Sequence, residues 1–177
     1  MKNLCKSVLA LWLIGMWLGV SAPAQADSVG PYYATPSWDQ TLPAATRFIV
    51  LSNFASAAVL DRETGLVWEK VPSTSFFNWL NASIHCVQLN LGGRKGWRLP
   101  TIQELASLVD PTAFNPSLPS GHPFTVQSSV YWSATTVANN SAVAWVVDFN
   151  NGLVGSLDRS FSGLAWCVRG GQGPDAQ

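Results

Sequence analysis

The amino-acid sequence predicts an α+β domain, with two helices, a mainly antiparallel sheet and one disulfide. Three observations carry this. Short strand-like runs joined by turn residues occupy both ends of the chain, so strands and helices do not alternate. Two segments between those runs have helical spacing and capping residues at their starts. Two cysteines, Cys86 and Cys167, remain once an N-terminal export signal is set aside.

The signal has three parts. Lys2 and Lys6 supply a positive end, residues 8–20 are apolar and uncharged, and Ala24-Gln25-Ala26 is a small-x-small cleavage site. Residues 1–26 are therefore expected to be a cleaved signal peptide. The rival reading is a membrane span, but the apolar run falls short of the roughly 20 residues a span needs. No span is expected after cleavage, which places the mature protein in the periplasm or outside the cell. Cys5 lies in the charged region and not at the cleavage point, which argues against a lipid anchor.

The remaining 177 − 26 = 151 residues suffice for one domain with a sizeable core. With Lys2 and Lys6 removed, 10 − 2 = 8 basic residues face 10 acidic ones. This near-neutral balance gives no footprint for nucleic acid or an anionic membrane surface. Trp12 and Trp17 leave with the signal, and the other seven of the nine tryptophans stay. Most are expected in the core, the alternative being exposed rings that stack on sugars. Cys86 and Cys167, in an oxidising setting, predict a structural disulfide. A catalytic thiol, or a metal site using His85 and His122, are the competing readings. No metal or cofactor is expected.

Residues 27–45, interrupted by Pro31, Pro36 and Pro43, read as an irregular arm. The domain proper is expected over 46–170, with a disordered tail at 171–177. Residues 46–51 and 57–60 read as strands, and the turn at 61–65 returns the chain into a strand at 66–69, making 57–70 a hairpin. Asn78 caps a helix in which Trp79, Ala82, Cys86 and Leu89 recur at helical spacing. Leu80, Ile84, Val87 and Leu91 widen its apolar face, and Gly92-Gly93 end it. After Pro100, Thr101-Ile102-Gln103-Glu104 is a capping box, and Leu105, Leu108 and Val109 face the core until Asp110-Pro111. Residues 111–128 form a long loop rich in Pro, Ser and Gly. Strands follow at 130–133 and 142–149, then at 153–157 after the turn Asn150-Asn151-Gly152, and a closing strand at 164–169.

Four blocks carry a resemblance. They are Asp61-Arg-Glu-Thr-Gly65-Leu-Val-Trp68-Glu, Trp79-x-x-Ala82-x-x-x-Cys86, Gly96-Trp97-Arg98-Leu99-Pro100-Thr101-x-x-Glu104-Leu105, and Tyr131-Trp132-Ser133-Ala134-Thr135 leading to Cys167-Val168-Arg169. In this order and spacing the chain, over roughly residues 47–169, resembles the Lcl C-terminal domain family, long known only as a domain of unknown function. The resemblance implies a C-type-lectin-like fold in which a disulfide ties the first helix to the last strand, the places of Cys86 and Cys167. It also marks Trp68, Trp79, Trp97, Arg98, Pro100, Thr101, Glu104, Trp132 and Arg169 as motif residues, which read as structural. Arg98 and Arg169 are expected to pair with backbone or carboxylates, and Glu104 to cap its helix. Trp97 is expected to be buried.

For function, the resemblance points to a surface adhesin that binds sulfated glycans, and more distantly to the enzymatic formylglycine-generating branch. The chain departs from both. It is not basic, the calcium-dependent sugar motifs Glu-Pro-Asn and Trp-Asn-Asp are absent, and Cys86 and Cys167 match the structural bridge and not the formylglycine-type cysteine pair. Ser120-Gly121-His122 lacks a nucleophile elbow, and Asp148 and Asp158 read as turn carboxylates. The expected function is therefore an exported, non-enzymatic ligand-binding or adhesion module, its ligand a glycan or an envelope protein. The alternatives are a structural or accessory envelope protein, or a relative of the formylglycine-generating enzymes. Loops 111–128 and 136–142 are the expected contact surface, with His122, Phe124, Asn139 and Asn140 as its candidates. The competing fate for Phe124 is burial under its own loop.

Overall fold

Residues 42–170 are described by a computed structural model; the expected export signal, the arm up to residue 41 and the tail at 171–177 lie outside the described residues. The first element differs from the expected strand. Pro43 sets an extended start, and its carbonyl accepts the amides of Thr46 and Arg47, winding one helical turn, α1 (Ala44–Arg47). The turn aims Arg47 into the interior before β1 (Phe48–Leu51) begins.

A short 3-10 turn at Ser52–Phe54 leads to β2 (Ala58–Asp61), and the expected hairpin follows, with β3 (Val67–Glu69) antiparallel to β2. The two helices come next. α2 (Trp79–Gln88) is capped by Asn78, whose side chain accepts the amide of Asn81, and α3 (Ile102–Ala106) carries both hydrogen bonds of the capping box. The second sheet comprises β4 (Val130–Val137), β5 (Asn140–Asp148) and β6 (Leu153–Asp158), and β7 (Val168–Arg169) returns to the first. The sheets have orders β1-β2-β3-β7 and β4-β5-β6, with all strand pairings antiparallel. The architecture is α+β. Among the described residues no helix is long and apolar enough to cross a membrane.

The expected closing strand, 164–169, is divided between the sheets. Leu164 bridges to Tyr131 of β4, while Val168 and Arg169 pair with Trp68 and Val67 of β3. Residues 164–168 are therefore buried throughout and feed two apolar clusters. One gathers Phe48, Val59, Trp68, Leu105, Phe124, Tyr131, Phe149 and Trp166. The other gathers Phe54, Ala82, Cys86, Trp97, Leu99, Trp132, Val146 and Cys167. Trp97 is buried as expected, edge-on to Phe54, with its indole N–H donating to the carbonyl of Arg94.

The apolar face of α2 is narrower than expected. Ala82 and Cys86 are buried, but Leu80, Ile84 and Val87 face outward. The helix rests on the domain along one seam, held by the disulfide and by the indole of Trp79 donating to the carbonyl of Ser133. Cys86 and Cys167 are bonded, with Cα atoms 5.3 Å apart. Because that link closes a loop of 81 residues and pins a helix with so little buried surface, Cys86→Ser is expected to cost about 2–4 kcal/mol. Urea unfolding of the unreduced variant against wild type measures it, and an unchanged midpoint would show that the bridge is dispensable.

Candidate functional site

The long loop is pinned at one end of β5. The amides of Asn115 and Ser117 donate to the carbonyls of Asn150 and Phe149, and the amide of Phe149 donates to Ser129. Of the candidates, Phe124 does not reach the surface. It is 6% exposed, edge-on to Phe48 at 5.1 Å and to Trp166 at 5.0 Å, because burying a ring against two others outweighs leaving it on a loop. His122 is half-buried and stacks on Phe124, and its Nδ1 accepts the Phe124 amide at 3.2 Å. Burial lowers its pKa by disfavouring the charged ring, which covers Phe124.

Asn139 and Asn140 are exposed, but the expected loop at 136–142 is a tight turn between β4 and β5. Asn140 uses its side-chain carbonyl to accept the amide of Ala142. This turn lies at the opposite end of β5 from the long loop, and nine extended residues span roughly 27 Å. The four candidates therefore do not form one surface.

The fold assembles a different group at the long-loop end. Phe114, 64% exposed, precedes Asn115, which bonds to the hairpin carrying Asn150, Asn151 and the 65%-exposed Leu153. Gly152 makes this approach possible. At its φ of +76° a Cβ would lie 2.8 Å from Val109 Cγ1 and 3.4 Å from Ser117 Cβ, so any larger residue would push the hairpin off the loop. A sequence signal separates the two phenylalanines. Phe124 alternates with Val126 in the pattern of a half-buried segment, whereas Phe114 stands between Ala113 and Asn115 with no apolar partner in register.

A second cluster joins two buried residues to a half-buried histidine. Glu69 ends β3, His85 lies on α2, and Cys167 precedes β7, with one ligand-type atom of each within 4.8 Å of the others. Burial pushes the Glu69 carboxyl up from 4.5 to about 7, against the opposing pull of the Cys167 amide. Among the described residues Glu69 has no ion-pair partner. The His85 ring stacks on Phe77 at 4.9 Å, its Nε2 is buried with no hydrogen-bond partner, and burial lowers its pKa. The sequence reading missed Glu69. The available signal was strand alternation: Trp68 faces one cluster, so Glu69 must face the other side, which α2 covers.

The Glu69 shift has a direct consequence for stability. A carboxyl raised in the folded state stabilises fully below its unfolded pKa of 4.5, and that contribution falls as pH climbs to about 7. Wild type is expected to lose on the order of 3 kcal/mol relative to Glu69→Gln across this window. The difference should level off above it. Denaturant curves at several pH values would reveal this, and parallel curves for the two proteins would show that Glu69 is solvated.

Several motif residues make contacts within the fold. Arg98 forms a two-pronged pair with Glu104, both contacts at 2.7 Å, and also donates to the carbonyl of Gly170. Arg169 donates to the carbonyl of Lys95, and Trp132 to that of Phe77. Trp68 packs edge-on to Trp166, and Arg159 lies 3.8 Å above the Trp79 ring. The family model of the Lcl C-terminal domain matches residues 57–169. The chain belongs to the Lcl C-terminal domain family. No curated protein matches it. The matched span of the Lcl C-terminal domain contains the disulfide, α2 and α3, the long loop and all of the second sheet. It starts after α1 and β1, so the buried partner that Arg47 gives to Asp61 comes from outside the family match.

Proposed function

We propose that this Lcl C-terminal domain is an exported, non-enzymatic binding module, acting in the periplasm or outside the cell. The proposed ligand is an uncharged glycan, held at the long-loop end of the second sheet. The observation that carries this reading is the exposed Phe114, next to Asn115, whose amide bonds the carbonyl of Asn150 in the hairpin that also carries exposed Asn151 and Leu153. An exposed aromatic face suits the apolar face of a sugar ring, and carboxamides offer donors and acceptors without charge. The hairpin is locked to its sheet and the long loop carrying Phe114 is hydrogen-bonded to it, so little ordering cost opposes binding. The leader-like residues 1–26 support export. The disulfide from α2 to the residue before β7 and the antiparallel sheets support the C-type-lectin-like reading.

A glycan array followed by titration calorimetry tests it. Phe114→Ala is expected to weaken binding of a captured glycan by roughly tenfold or more, as for an aromatic anchor. Asn139→Ala and Asn140→Ala should leave it unchanged. Loss of binding only in the asparagine variants would move the site to the β4–β5 turn. Capture of an envelope protein with no glycan bound would favour the accessory role. Substrate turnover abolished by His122→Ala would overturn the non-enzymatic reading.

A further inference from the structure

We propose that reduction of the Cys86–Cys167 disulfide creates a site for one zinc ion, ligated by the two thiolates, His85 and Glu69. The carboxylate of Glu69, a ring nitrogen of His85 and Sγ of Cys167 already lie within 4.8 Å of one another. Three such points share a centre no more than about 2.8 Å from each, within a small adjustment of zinc's bond lengths to O, N and S of roughly 2.0–2.3 Å. Cys86 Sγ is bonded to Cys167 Sγ, so the fourth donor borders the same point.

The donor set is two sulfurs, one nitrogen and one oxygen, which suits tetrahedral zinc better than a hard cation that takes only oxygen. Both non-sulfur donors lack what a cation supplies. Among the described residues Glu69 has no cationic partner, and the Nε2 of His85 is buried without any hydrogen bond. Three segments meet here: the end of β3, α2 and the run into β7. A metal would therefore replace the covalent tie between α2 and the sheet.

The chemistry balances. A dithiol reductant gives up two electrons and two protons to the disulfide and becomes a cyclic disulfide, leaving two cysteine thiols. Zinc binding then releases the two thiol protons, and any proton on Glu69, to solvent. With four protein ligands there is no open position, so the site is structural and carries no hydrolytic role.

The test uses the mature chain, reduced anaerobically with a non-chelating phosphine and given zinc. The reduced protein is expected to bind one zinc per chain in a chelator competition, with its thermal midpoint rising toward that of the disulfide form. The oxidised protein should bind none. His85→Gln and Glu69→Gln, each folded when oxidised, should weaken zinc binding by roughly tenfold or more in the reduced state, since even outer-shell changes cost that much. Equal zinc affinity in wild type and both variants would overturn the proposal, because two free thiols would then explain the binding. So would a reduced protein whose midpoint zinc does not raise, or zinc bound equally well with the disulfide intact. If either variant fails to fold, the cobalt(II) spectrum of reduced wild type decides: an octahedral spectrum without thiolate charge transfer overturns the site.

Discussion

Replacing Trp166 with alanine is expected to cost roughly 3–5 kcal/mol, a large share of the stability of a typical domain. The ring is fully buried and meets four others: Trp68 at 5.6 Å, Phe124 at 5.0 Å, Tyr131 at 5.6 Å and Phe149 at 5.3 Å. Those neighbours come from the first sheet, the long loop and the second sheet, so no single element can shift to fill the space. Truncation also leaves the carbonyl of Glu69 without the indole N–H that donates to it at 2.8 Å. Urea unfolding monitored by far-UV circular dichroism measures the change. A loss under about 1 kcal/mol would mean that the surrounding rings collapse into the cavity, and that this residue is not what joins the two sheets.

Arg47→Met should be about as severe, for an electrostatic reason. Arg47 is 1% exposed and donates to both oxygens of Asp61, at 2.9 and 2.8 Å, and to the carbonyl of Ser107. Glu63 lies 3.2 Å from its Nε. Methionine keeps much of the volume but leaves two buried carboxylates without their counter-charge, which is expected to cost about 3–5 kcal/mol. The double variant Arg47→Met/Asp61→Leu should recover part of the loss, because it removes one of the stranded charges. If the double variant is less stable than Arg47→Met, then the loss comes from packing and not from uncompensated charge.

The parts of the fold legible in the sequence are those whose partners lie a few residues away. Asn78 caps α2 through Asn81, Thr101 and Glu104 close a capping box, and Asn150-Asn151-Gly152 turns β5 into β6. Each is settled within one turn of chain, so the residue types announce it. The failures share the opposite property. Thr46 and Arg47 read as the start of a strand but end a helical turn, and Arg47 is drawn inward by Asp61, 14 positions on. The outer residues of α2 have an apolar pattern wide enough for a buried helix, yet only the seam carrying Ala82 and Cys86 finds a surface to cover. Residues 164–169 read as one strand, but their two halves bond to different sheets.

For the candidate sites the same division holds. The order of strand-like and helical segments predicted the α+β class and the cysteine count predicted the Cys86–Cys167 pair, both of which the structure shows. The reading of the Trp97-to-Glu104 motif came from the family resemblance. The alternation of Phe124 with Val126 set it apart from Phe114, but only the tertiary structure supplied the rings of Phe48 and Trp166 that cover Phe124 while Phe114 stays exposed. Only the tertiary structure set Glu69 and His85 against Cys167, residues up to 98 positions apart in the chain. A local pattern records which face of a segment is apolar. It does not record which distant segment arrives to cover that face, because that depends on how the packing of the whole chain closes.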